Sequence, residues 1–308
     1  MRETFVKKLI EFAKRDKNVY LITSDTGFMV LDEFKTLFPE RFLNIGISEA
    51  NMIGVAAGLA MSGKKVFVYA IVPFVTMRCF EQIRVDLCYQ NLPVKLVGIG
   101  GGLTYGTAGS THHSIEDLAV MNCLPNMNVL CPGDPIEAAG LFEESMLLDS
   151  PCYIRLGKSG EKIIHENNNT HIKIGKGILV SEGKNIAIIS TGNMLENAKN
   201  VVDLLNKEGF TPELISMPTI KPMDKEIITK ISKKCHTIFT LEEHNIIGGL
   251  GSAVGDVILE NNLSVKIKKI AIPDQYTCIG GSQEYLRGKY GLTAAQILNS
   301  ILEALKSN

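Results

Sequence analysis

Two α/β domains are the fold that the sequence predicts. Short apolar runs, bounded by Gly, Pro or Asp, alternate with helix-length amphipathic segments along almost the whole chain. This alternation is typical of buried parallel strands that are joined by helices in three layers. The rhythm stops in a polar stretch that contains three consecutive Asn and no helical period. We therefore expect a first domain at 1–165, a linker at 166–177 and a second, smaller domain at 178–308.

The pattern of the first domain predicts a doubly wound, mainly parallel sheet. Its N-terminal segment, 1–18, is charged and amphipathic, which favours a helix. Apolar runs predict strands at 19–23, 42–45, 66–70, 94–99, 129–131 and 152–154. The segments between them predict helices at about 30–38, 48–62, 74–91, 116–123 and 134–148.

The second domain repeats the alternation on a smaller scale. Strands are predicted at 186–190, 213–216, 237–241 and 265–270, and helices at 193–208, 224–233, 250–261 and 293–306. Three adjacent polar residues, Glu242, Glu243 and His244, follow the third of these strands. Such a cluster more often forms an interface or a satisfied loop than a catalytic set.

Composition excludes several classes of function. The chain is 45% hydrophobic and 21% charged, and 32 Lys and Arg balance 33 Asp and Glu without any basic tract, so we expect no nucleic acid partner. No apolar run reaches the roughly 18 residues of a membrane span, and the N-terminus is no secretory signal, so we expect a cytoplasmic protein without a membrane partner. Seven scattered cysteines form no CxxC pair and have no suitably spaced His, so we predict no metal site.

Glu49 is the most informative single residue. It follows a short apolar strand, a glycine and Ser48, and Ser48 is a good N-cap for a helix whose first turn holds Glu49. That helix is apolar on nearly every face, so we expect it to be buried. An acid in this position is either an anion stabilised by the helix dipole or a carboxylate that shares a proton with a ligand nitrogen. The local sequence leaves both open.

A glycine-rich loop follows the strand at 94–99. Ligands of open α/β sheets bind beyond the carboxyl ends of the strands, so this loop is a candidate site. Its spacing fits neither a P-loop nor a dinucleotide fingerprint, and its glycines are expected to let the backbone approach a ligand or a partner chain. The loop carries the adjacent pair His112 and His113, of which His112 is the better functional candidate.

Seven motifs, in order along essentially the whole chain, resemble the second half of a transketolase. They are RFLNIGISEAN with AAGLA, FEQIRVDLCYQNLPVKLVG, GSTHHSIEDLAVMNCLPNMNVLCPGDPIEA, YIRLG, TIKPMD, EEHNIIGGLGSAV and KYGLTAAQI. The resemblance implies a thiamine-diphosphate pyrimidine-binding domain followed by a transketolase C-terminal domain. It also implies an enzyme that transfers a two-carbon ketol unit between sugars or sugar phosphates.

By this resemblance, three residues meet the pyrimidine end of thiamine diphosphate. Glu49 is the acid that hydrogen-bonds the aminopyrimidine N1′ and promotes its tautomerisation, which makes it catalytic as well as cofactor-binding. Phe74 matches an aromatic residue that stacks on the pyrimidine. Arg78, in the same segment, is expected at the cofactor, although contact with substrate or with an acid across a subunit interface is also possible.

Four residues are expected to contact the substrate. His112 matches the histidine of the family's THQ motif, a catalytic residue that contacts the substrate, and His113 stands where Gln is usual. Arg155 matches an arginine used for a sugar phosphate, and its place past a strand end fits phosphate capture. Asp25, at the end of the first strand, is the fourth. Differences from the family's motifs cluster among the residues that would contact substrate. Ala108 replaces an aspartate, and Met29 stands near a serine position.

A partner subunit is implied by what the chain lacks. The GDG-type motif that holds the cofactor diphosphate and its metal is missing, and there is no room for the domain that carries it. The chain thus resembles the C-terminal subunit of a split transketolase that is active only with an N-terminal subunit. That subunit is expected to carry Mg²⁺ or Ca²⁺, and self-association through pyrimidine-binding domains would give an α2β2 assembly.

Three alternatives remain open. The ISEA and EQI motifs also occur in beta subunits of 2-oxo acid dehydrogenases, and the absence of a second donor histidine, with Gly100 or Gly101 in its place, resembles deoxyxylulose phosphate synthase. Either would imply decarboxylating chemistry. A non-catalytic structural or regulatory subunit with the same fold is the third reading, and the presence of Glu49, Phe74 and His112 weighs against it.

Overall fold

The computed structural model describes residues 1–165 and 171–306 of the chain and contains two α/β domains. In the first domain, alternate residues of the strands enter two separate apolar clusters on opposite faces of one sheet. One cluster includes Met52 and Ile53 of a helix, and the other includes Phe5 and Leu141 of two further helices. The sheet is thus the middle of three layers, as the sequence predicts.

The first sheet contains seven strands, of which six are parallel. The six parallel strands are β1 (Val19–Thr23), β2 (Phe42–Asn44), β3 (Lys65–Ile71), β4 (Lys95–Ile99), β5 (Asn128–Leu130) and β6 (Cys152–Leu156). The order across the sheet is β10, β5, β6, β4, β3, β1, β2, where β10 (Thr219–Lys221) comes from the second domain. Strand β10 runs antiparallel to β5 and was not predicted. It ties the two domains together.

Within residues 1–165, seven helices surround this sheet. They are α1 (Arg2–Arg15), α2 (Asp32–Leu37), α3 (Glu49–Met61), α4 (Val72–Thr76), α5 (Phe80–Gln82), α6 (Asp117–Asn122) and α7 (Pro135–Ser145). A 3-10 turn at Pro39–Arg41 precedes β2, and a π-helical segment, Ile83–Tyr89, continues directly from α5.

The prediction of one helix over 74–91 is wrong, because the segment is interrupted between α4 and α5. The Thr76 hydroxyl donates to the Val72 carbonyl at 2.8 Å, and the Cys79 thiol donates to the Val75 carbonyl at 2.9 Å. Such bonds from a side chain to the carbonyl four residues earlier can bend a helix, and these two lie next to the interruption. The interruption places Arg78 in a turn.

The prediction that helix α3 is buried holds in the single chain only for the side that faces the sheet. Its side toward the sheet is buried, through Met52, Ile53 and Ala56. The opposite side is exposed in this chain and carries mainly small or polar residues: Asn51, Gly54, Gly58 and Met61. The helix therefore has a face that nothing in the described chain covers.

The second domain contains a five-stranded sheet in the order β12, β11, β8, β9, β7. Its strands are β7 (Ile178–Ser181), β8 (Asn185–Ser190), β9 (Glu213–Ser216), β11 (Cys235–Asn245) and β12 (Lys266–Ile272), and its helices are α8 (Leu195–Lys207), α9 (Lys225–Ser232), α10 (Leu250–Glu260), α11 (Gln283–Lys289) and α12 (Ala294–Lys306). Strand β7, which pairs antiparallel with β9, and helix α11 were not predicted. Strand β11 is longer than predicted, and its last residues extend between the two domains.

The expected linker at 166–177 falls partly on residues 166–170, which lie outside the described residues. From 171 onward the backbone is irregular until β7, and Ile172 packs into the apolar cluster of α1 and α7. None of the helices in residues 1–165 and 171–306 combines the length and apolar character that a membrane span requires.

Candidate functional site

The candidate site lies at the carboxyl edge of the first sheet, where α3 begins. Gly46, with φ of +75°, turns the chain after β2 and lets α3 start at Glu49. Ser48 occupies the N-cap position as predicted, but its hydroxyl makes no capping hydrogen bond. Glu49 is only 2% exposed, which makes its carboxylate a buried charge at the helix start.

In the part of the chain that the structure describes, two side chains donate hydrogen bonds to the Glu49 carboxylate. The Ser24 hydroxyl, at the end of β1, donates to Oε1 at 3.3 Å, and the Arg78 guanidinium donates to Oε2 at 2.9 Å. Burial, aided by the nearby Glu49 charge, raises the pKa of the Cys79 thiol to about 12, so this neighbour stays neutral. Arg78 is therefore the cation that compensates the buried acid. Arg78 thus contacts an acid of its own chain, whereas one alternative from the sequence was an acid across a subunit interface.

Arg78 also stacks on Phe74. The guanidinium carbon lies 4.3 Å from the centroid of the Phe74 ring, within the range of a cation–π contact. Phe74 belongs to the short helix α4 rather than to a loop, and is half-buried. A planar cation with N–H donors is thus accommodated between an aromatic face and a buried carboxylate.

His112 completes this group from the glycine-rich loop. Its ring centroid lies 5.1 Å from that of Phe74, at an interplanar angle of 72°, and 6.3 Å from that of Tyr105. Its Nδ1 lies 3.0 Å from the Thr111 hydroxyl. The structure therefore brings Glu49, Phe74, Arg78 and His112 into one connected group, and their roles toward a cofactor or substrate stay predictions.

Two glycines of this loop, Gly100 and Gly101, pack closely against side chains of their own chain. A Cβ atom at Gly100 would collide with Tyr105, and one at Gly101 would collide with Arg155. The absence of a Cβ atom at these two positions lets the loop lie against side chains of its own chain. The expectation that the loop glycines let the backbone approach a ligand or a partner chain stays a prediction.

His113 is turned away from the site, so its prediction as a substrate ligand is not supported by this geometry. It is 4% exposed, and its Nε2 lies 3.1 Å from the Gly106 carbonyl, which can only accept. Nε2 must therefore carry the proton, and Nδ1 accepts a hydrogen bond from the Thr277 hydroxyl. Both ring nitrogens have internal partners, and His113 attaches the loop to the second domain.

Arg155 does not fit the predicted capture of a sugar phosphate either. It lies within β6 rather than past its end, and it is 4% exposed. Its guanidinium donates to both carboxylate oxygens of Asp117, at 2.8 and 3.1 Å, and to the Ser114 and Glu243 carbonyls. Burial opposes both charges, but the ion pair outweighs it, so the pKa of Asp117 is lowered and that of Arg155 is raised. The arginine is committed to the interior.

Asp25 lies at the rim of the site, next to Ser24. Its backbone adopts φ of +55°, and it exchanges two hydrogen bonds with Asn44, at 2.9 and 3.0 Å. The carboxylate is half-buried and retains capacity to accept further hydrogen bonds. A substrate role for Asp25 stays a prediction.

Sequence reasoning missed two residues of this edge. Ser24 immediately follows β1, and the rule that ligands bind beyond strand ends could have found it. Lys158 lies two residues past β6, is exposed, and has its ammonium 5.1 Å from the centroid of the Tyr105 ring. It is an exposed cation beside this loop, whereas Arg155 is internal.

Among the described residues, one group could surround a metal ion: Asp134, Glu137 and His165, all buried. These side chains already have partners. Asp134 accepts hydrogen bonds from three backbone N–H groups, including that of His165, and the His165 ring bonds Glu137 at 2.7 Å. Burial alone would lower the pKa of His165, but the hydrogen bond to Glu137 and the nearby acidic charges outweigh burial, so this pKa is raised. We interpret the group as a clip that holds residue 165 at the start of α7.

Both halves of the chain match known domain families. Residues 1–160 match the family described as Transketolase, pyrimidine binding domain, and residues 175–297 match Transketolase, C-terminal domain. The chain therefore belongs to the transketolase family. Its domain composition is that of the C-terminal subunit of a split transketolase, and ketol transfer with thiamine diphosphate is the general function of the family.

Individual relatives agree with this assignment. The chain is 36% identical to one subunit of the apulose-4-phosphate transketolase of Phocaeicola vulgatus, over 99% of this chain and 97% of the relative. It is 32% identical to 1-deoxy-D-xylulose-5-phosphate synthase of Syntrophomonas wolfei, over 97% of this chain but 47% of the relative. A solved structure described as "Split gene transketolase, inactive beta4 tetramer" superposes with a TM-score of 0.89 at 34% identity, over 99% of this chain and 97% of that one.

Proposed function

We propose that this chain is the C-terminal subunit of a two-subunit transketolase that depends on thiamine diphosphate. It would transfer a two-carbon ketol unit between sugars or sugar phosphates, and would be active only with an N-terminal partner. The observation that carries the proposal is that a buried acid, Glu49, and an aromatic ring, Phe74, both contact the same planar guanidinium at the sheet edge where such ligands bind.

The residues fit the pyrimidine end of the cofactor. The Arg78 guanidinium, a planar cation with N–H donors, stacks on Phe74 and donates to Glu49. A planar ring with a protonated nitrogen would find the same two partners in the position that the guanidinium occupies. Arg78 is 48% exposed, so it can move aside at little cost. When bound, thiamine diphosphate supplies the carbon nucleophile that cleaves the bond next to a sugar carbonyl.

Glu49 would hold and move the proton at the pyrimidine N1′. A carboxylate that is 2% exposed makes stronger hydrogen bonds than one in water, and it keeps a fixed position at the helix start. Ser24 donates to the other oxygen and so orients the carboxylate. Phe74 would stack on the ring and exclude water from one face.

The sugar would lie on the His112 side of this site. His112 is half-buried and in contact with the edge of Phe74, which places an imidazole donor beside the proposed reacting atoms. Asp25 would accept hydrogen bonds from sugar hydroxyls at the rim. Lys158 is exposed and would approach a substrate phosphate more readily than the buried Arg155.

The partner subunit would supply the diphosphate site and its Mg²⁺ or Ca²⁺. Support comes from the matched domains, which cover pyrimidine binding and the C-terminal domain, and from relatives whose names describe subunits. A tetrameric relative and the exposed small-residue face of α3 support self-association, and thus an α2β2 enzyme. Three exposed apolar residues near the site, Phe28, Met29 and Ile47, would be covered in such an assembly.

Decarboxylating chemistry is the second candidate. The match to 1-deoxy-D-xylulose-5-phosphate synthase over nearly the whole chain favours it, since the same pyrimidine end would serve a 2-oxo acid donor. The 2-oxo acid dehydrogenase beta-like and non-catalytic readings have no comparable support from the relatives above. The apulose-4-phosphate relative favours a modified sugar phosphate as substrate over xylulose 5-phosphate.

Reconstitution with the partner distinguishes these functions. The pair should be assayed with apulose 4-phosphate and xylulose 5-phosphate as ketol donors, and with pyruvate plus an aldehyde for release of CO₂. Ketol transfer should appear only in the pair, and Glu49→Ala should reduce it by about 10²–10⁴-fold, the range of lost acid–base catalysis. Full activity of the isolated chain, or CO₂ release without ketol transfer, would overturn the proposal.

A further inference from the structure

Glu243 is a buried carboxylate that the proposed chemistry does not use. It lies near the end of β11 in the second domain and is 1% exposed. The sequence pattern predicts that Glu243 follows a strand, whereas in the structure β11 continues through it. Its carboxylate lies between the two domains.

Within the described chain, four hydrogen bonds converge on the Glu243 carboxylate. The backbone N–H of Leu103 donates to Oε1 at 2.7 Å, and the Gln283 amide donates to both oxygens, at 2.8 and 3.1 Å. The Arg287 guanidinium, itself 9% exposed, donates to Oε2 and neutralises the charge. Three of these bonds come from helix α11 of the second domain, and the fourth comes from the glycine-rich loop of the first.

The loop contact leads directly to His112. Gly102, with φ of +68°, packs so closely on Glu243 that a Cβ atom there would collide with its carboxylate. Gly102 in turn exchanges two backbone hydrogen bonds of 2.8 Å with Ser114, two residues after His112. The Glu243 carboxylate therefore fixes the segment around Gly102. That segment is bridged to the segment around Ser114, which carries His112.

We propose that Glu243 is a positioning residue for His112, so that the second domain holds the histidine in its place at the site. The inference rests on the proposed function, because it assigns His112 to the reacting sugar. A displacement of about 1 Å in a catalytic group can reduce turnover by roughly 10²-fold, so a residue that acts only through the loop can still have a large effect.

Glu242 provides a matched control on the same strand. It is also a buried glutamate, at 0% exposure, but it faces the other way and accepts hydrogen bonds from Leu250 and Gly251 at the start of α10, at 2.7 and 2.8 Å. Glu243→Gln and Glu242→Gln each place an NH₂ group against N–H donors. Both variants should lower thermal stability, but only the first disturbs the glycine-rich loop.

The experiment compares the two variants in the reconstituted pair. Glu243→Gln should lower kcat by about 10- to 100-fold, with the Kd for thiamine diphosphate unchanged, because none of the hydrogen bonds given above for Glu243 involves Glu49 or Phe74. Glu242→Gln should keep kcat within about twofold of the wild type. Equal losses of kcat in both variants, or an unchanged kcat in Glu243→Gln, would overturn the inference.

Hydrogen exchange gives a readout that does not depend on activity. Deuterium uptake of the peptide 100–115 should rise in Glu243→Gln, and that of 246–256 should rise in Glu242→Gln. If Glu243→Gln does not fold, Gln283→Ala is the alternative, because it removes two of the four hydrogen bonds. It should lower kcat and raise deuterium uptake of the peptide 100–115, each by less than is expected for Glu243→Gln. An inactive wild-type pair would contradict the proposed function alone, whereas unchanged exchange at 100–115 would contradict the positioning role alone.

Discussion

Glu49 and Arg78 form an ion pair between unequal environments. The acid is 2% exposed, whereas the arginine is 48% exposed and also rests on Phe74. A buried carboxylate depends on its partner because it has lost its water, while the half-exposed arginine does not. This asymmetry allows the arginine to leave when a ligand with its own N–H donor replaces it.

Substitution of Arg78 tests this dependence in the isolated chain. Arg78→Ala should lower the free energy of unfolding by about 1–2 kcal/mol, below the value for a fully buried pair because the arginine is half solvated. In a Glu49→Gln background the same substitution should cost little, since a neutral amide needs no cation. Urea titration of the four proteins measures the coupling, and additive losses would contradict the account.

At the residue scale, local sequence patterns predicted which residues lie at the sheet edge better than they predicted which side chains contact each other. Glu49 and His112 could be placed because a helix start and a glycine-rich loop follow strands whose carboxyl ends share one edge of a sheet. Arg155 and His113 could not be assigned correctly, because their partners, Asp117 and Thr277, are 38 and 164 residues away along the chain. The sequence does not show which of these long-range contacts form.

At the element scale, the alternation of apolar runs predicted the buried strands and most helices to within a few residues. The exceptions are elements that depend on distant pairing. Strand β10 has three residues and exists because it pairs with β5 across the domain boundary, and the end of β11 is a strand because Asn245 pairs with Ile272 of β12 after a shift in register. The interruption between α4 and α5 lies beside hydrogen bonds of two side chains, Thr76 and Cys79, which hydrophobic periodicity does not reveal.

The clip at the start of α7 makes a prediction about pH. The pKa of His165 is raised, because its hydrogen bond to Glu137 and the nearby acidic charges outweigh burial, so the clip stabilises the fold fully below the unfolded pKa of about 6.5. This contribution is lost as pH rises through the higher, folded value. The difference in Tm between the wild type and His165→Gln should therefore be larger at pH 5.5 than at pH 8.5.

That comparison isolates His165, because the other histidines are common to both proteins. His171 offers a control, since it is exposed and no contact of the clip involves it. His171→Gln should leave the pH dependence of Tm as it is in the wild type. A Tm difference for His165→Gln that stays constant with pH, or grows at pH 8.5, would contradict the assignment.

At the scale of the whole molecule, the exposed face of α3 is the feature that the single chain does not explain. Among the described residues, no heavy atom lies within 4 Å of the position of a Cβ atom at Gly54 or Gly58 beyond their own helix, so this part of the chain has room for side chains there. Glycine inside a helix lowers its stability relative to most other residues. Small residues on this face would let a second copy approach closely.

An arginine on this face tests self-association. Gly58→Arg should leave the circular dichroism spectrum intact and raise Tm slightly through better helix propensity, but should reduce the assembly to smaller species in multi-angle light scattering. Gly255→Arg is the matched control, because Gly255 is also a helical glycine with open space around it, on α10. Retention of the full assembly by Gly58→Arg would exclude the α3 face from the interface.

The most direct test of the central claim is the affinity of thiamine diphosphate for the reconstituted pair, measured by isothermal titration calorimetry with Mg²⁺ present. The isolated chain should bind the cofactor poorly, the pair should bind it tightly, and Glu49→Gln should weaken binding to the pair by about tenfold or more through loss of a charge-assisted hydrogen bond in a buried site. An unchanged affinity in Glu49→Gln would contradict the account and leave this chain as a structural subunit.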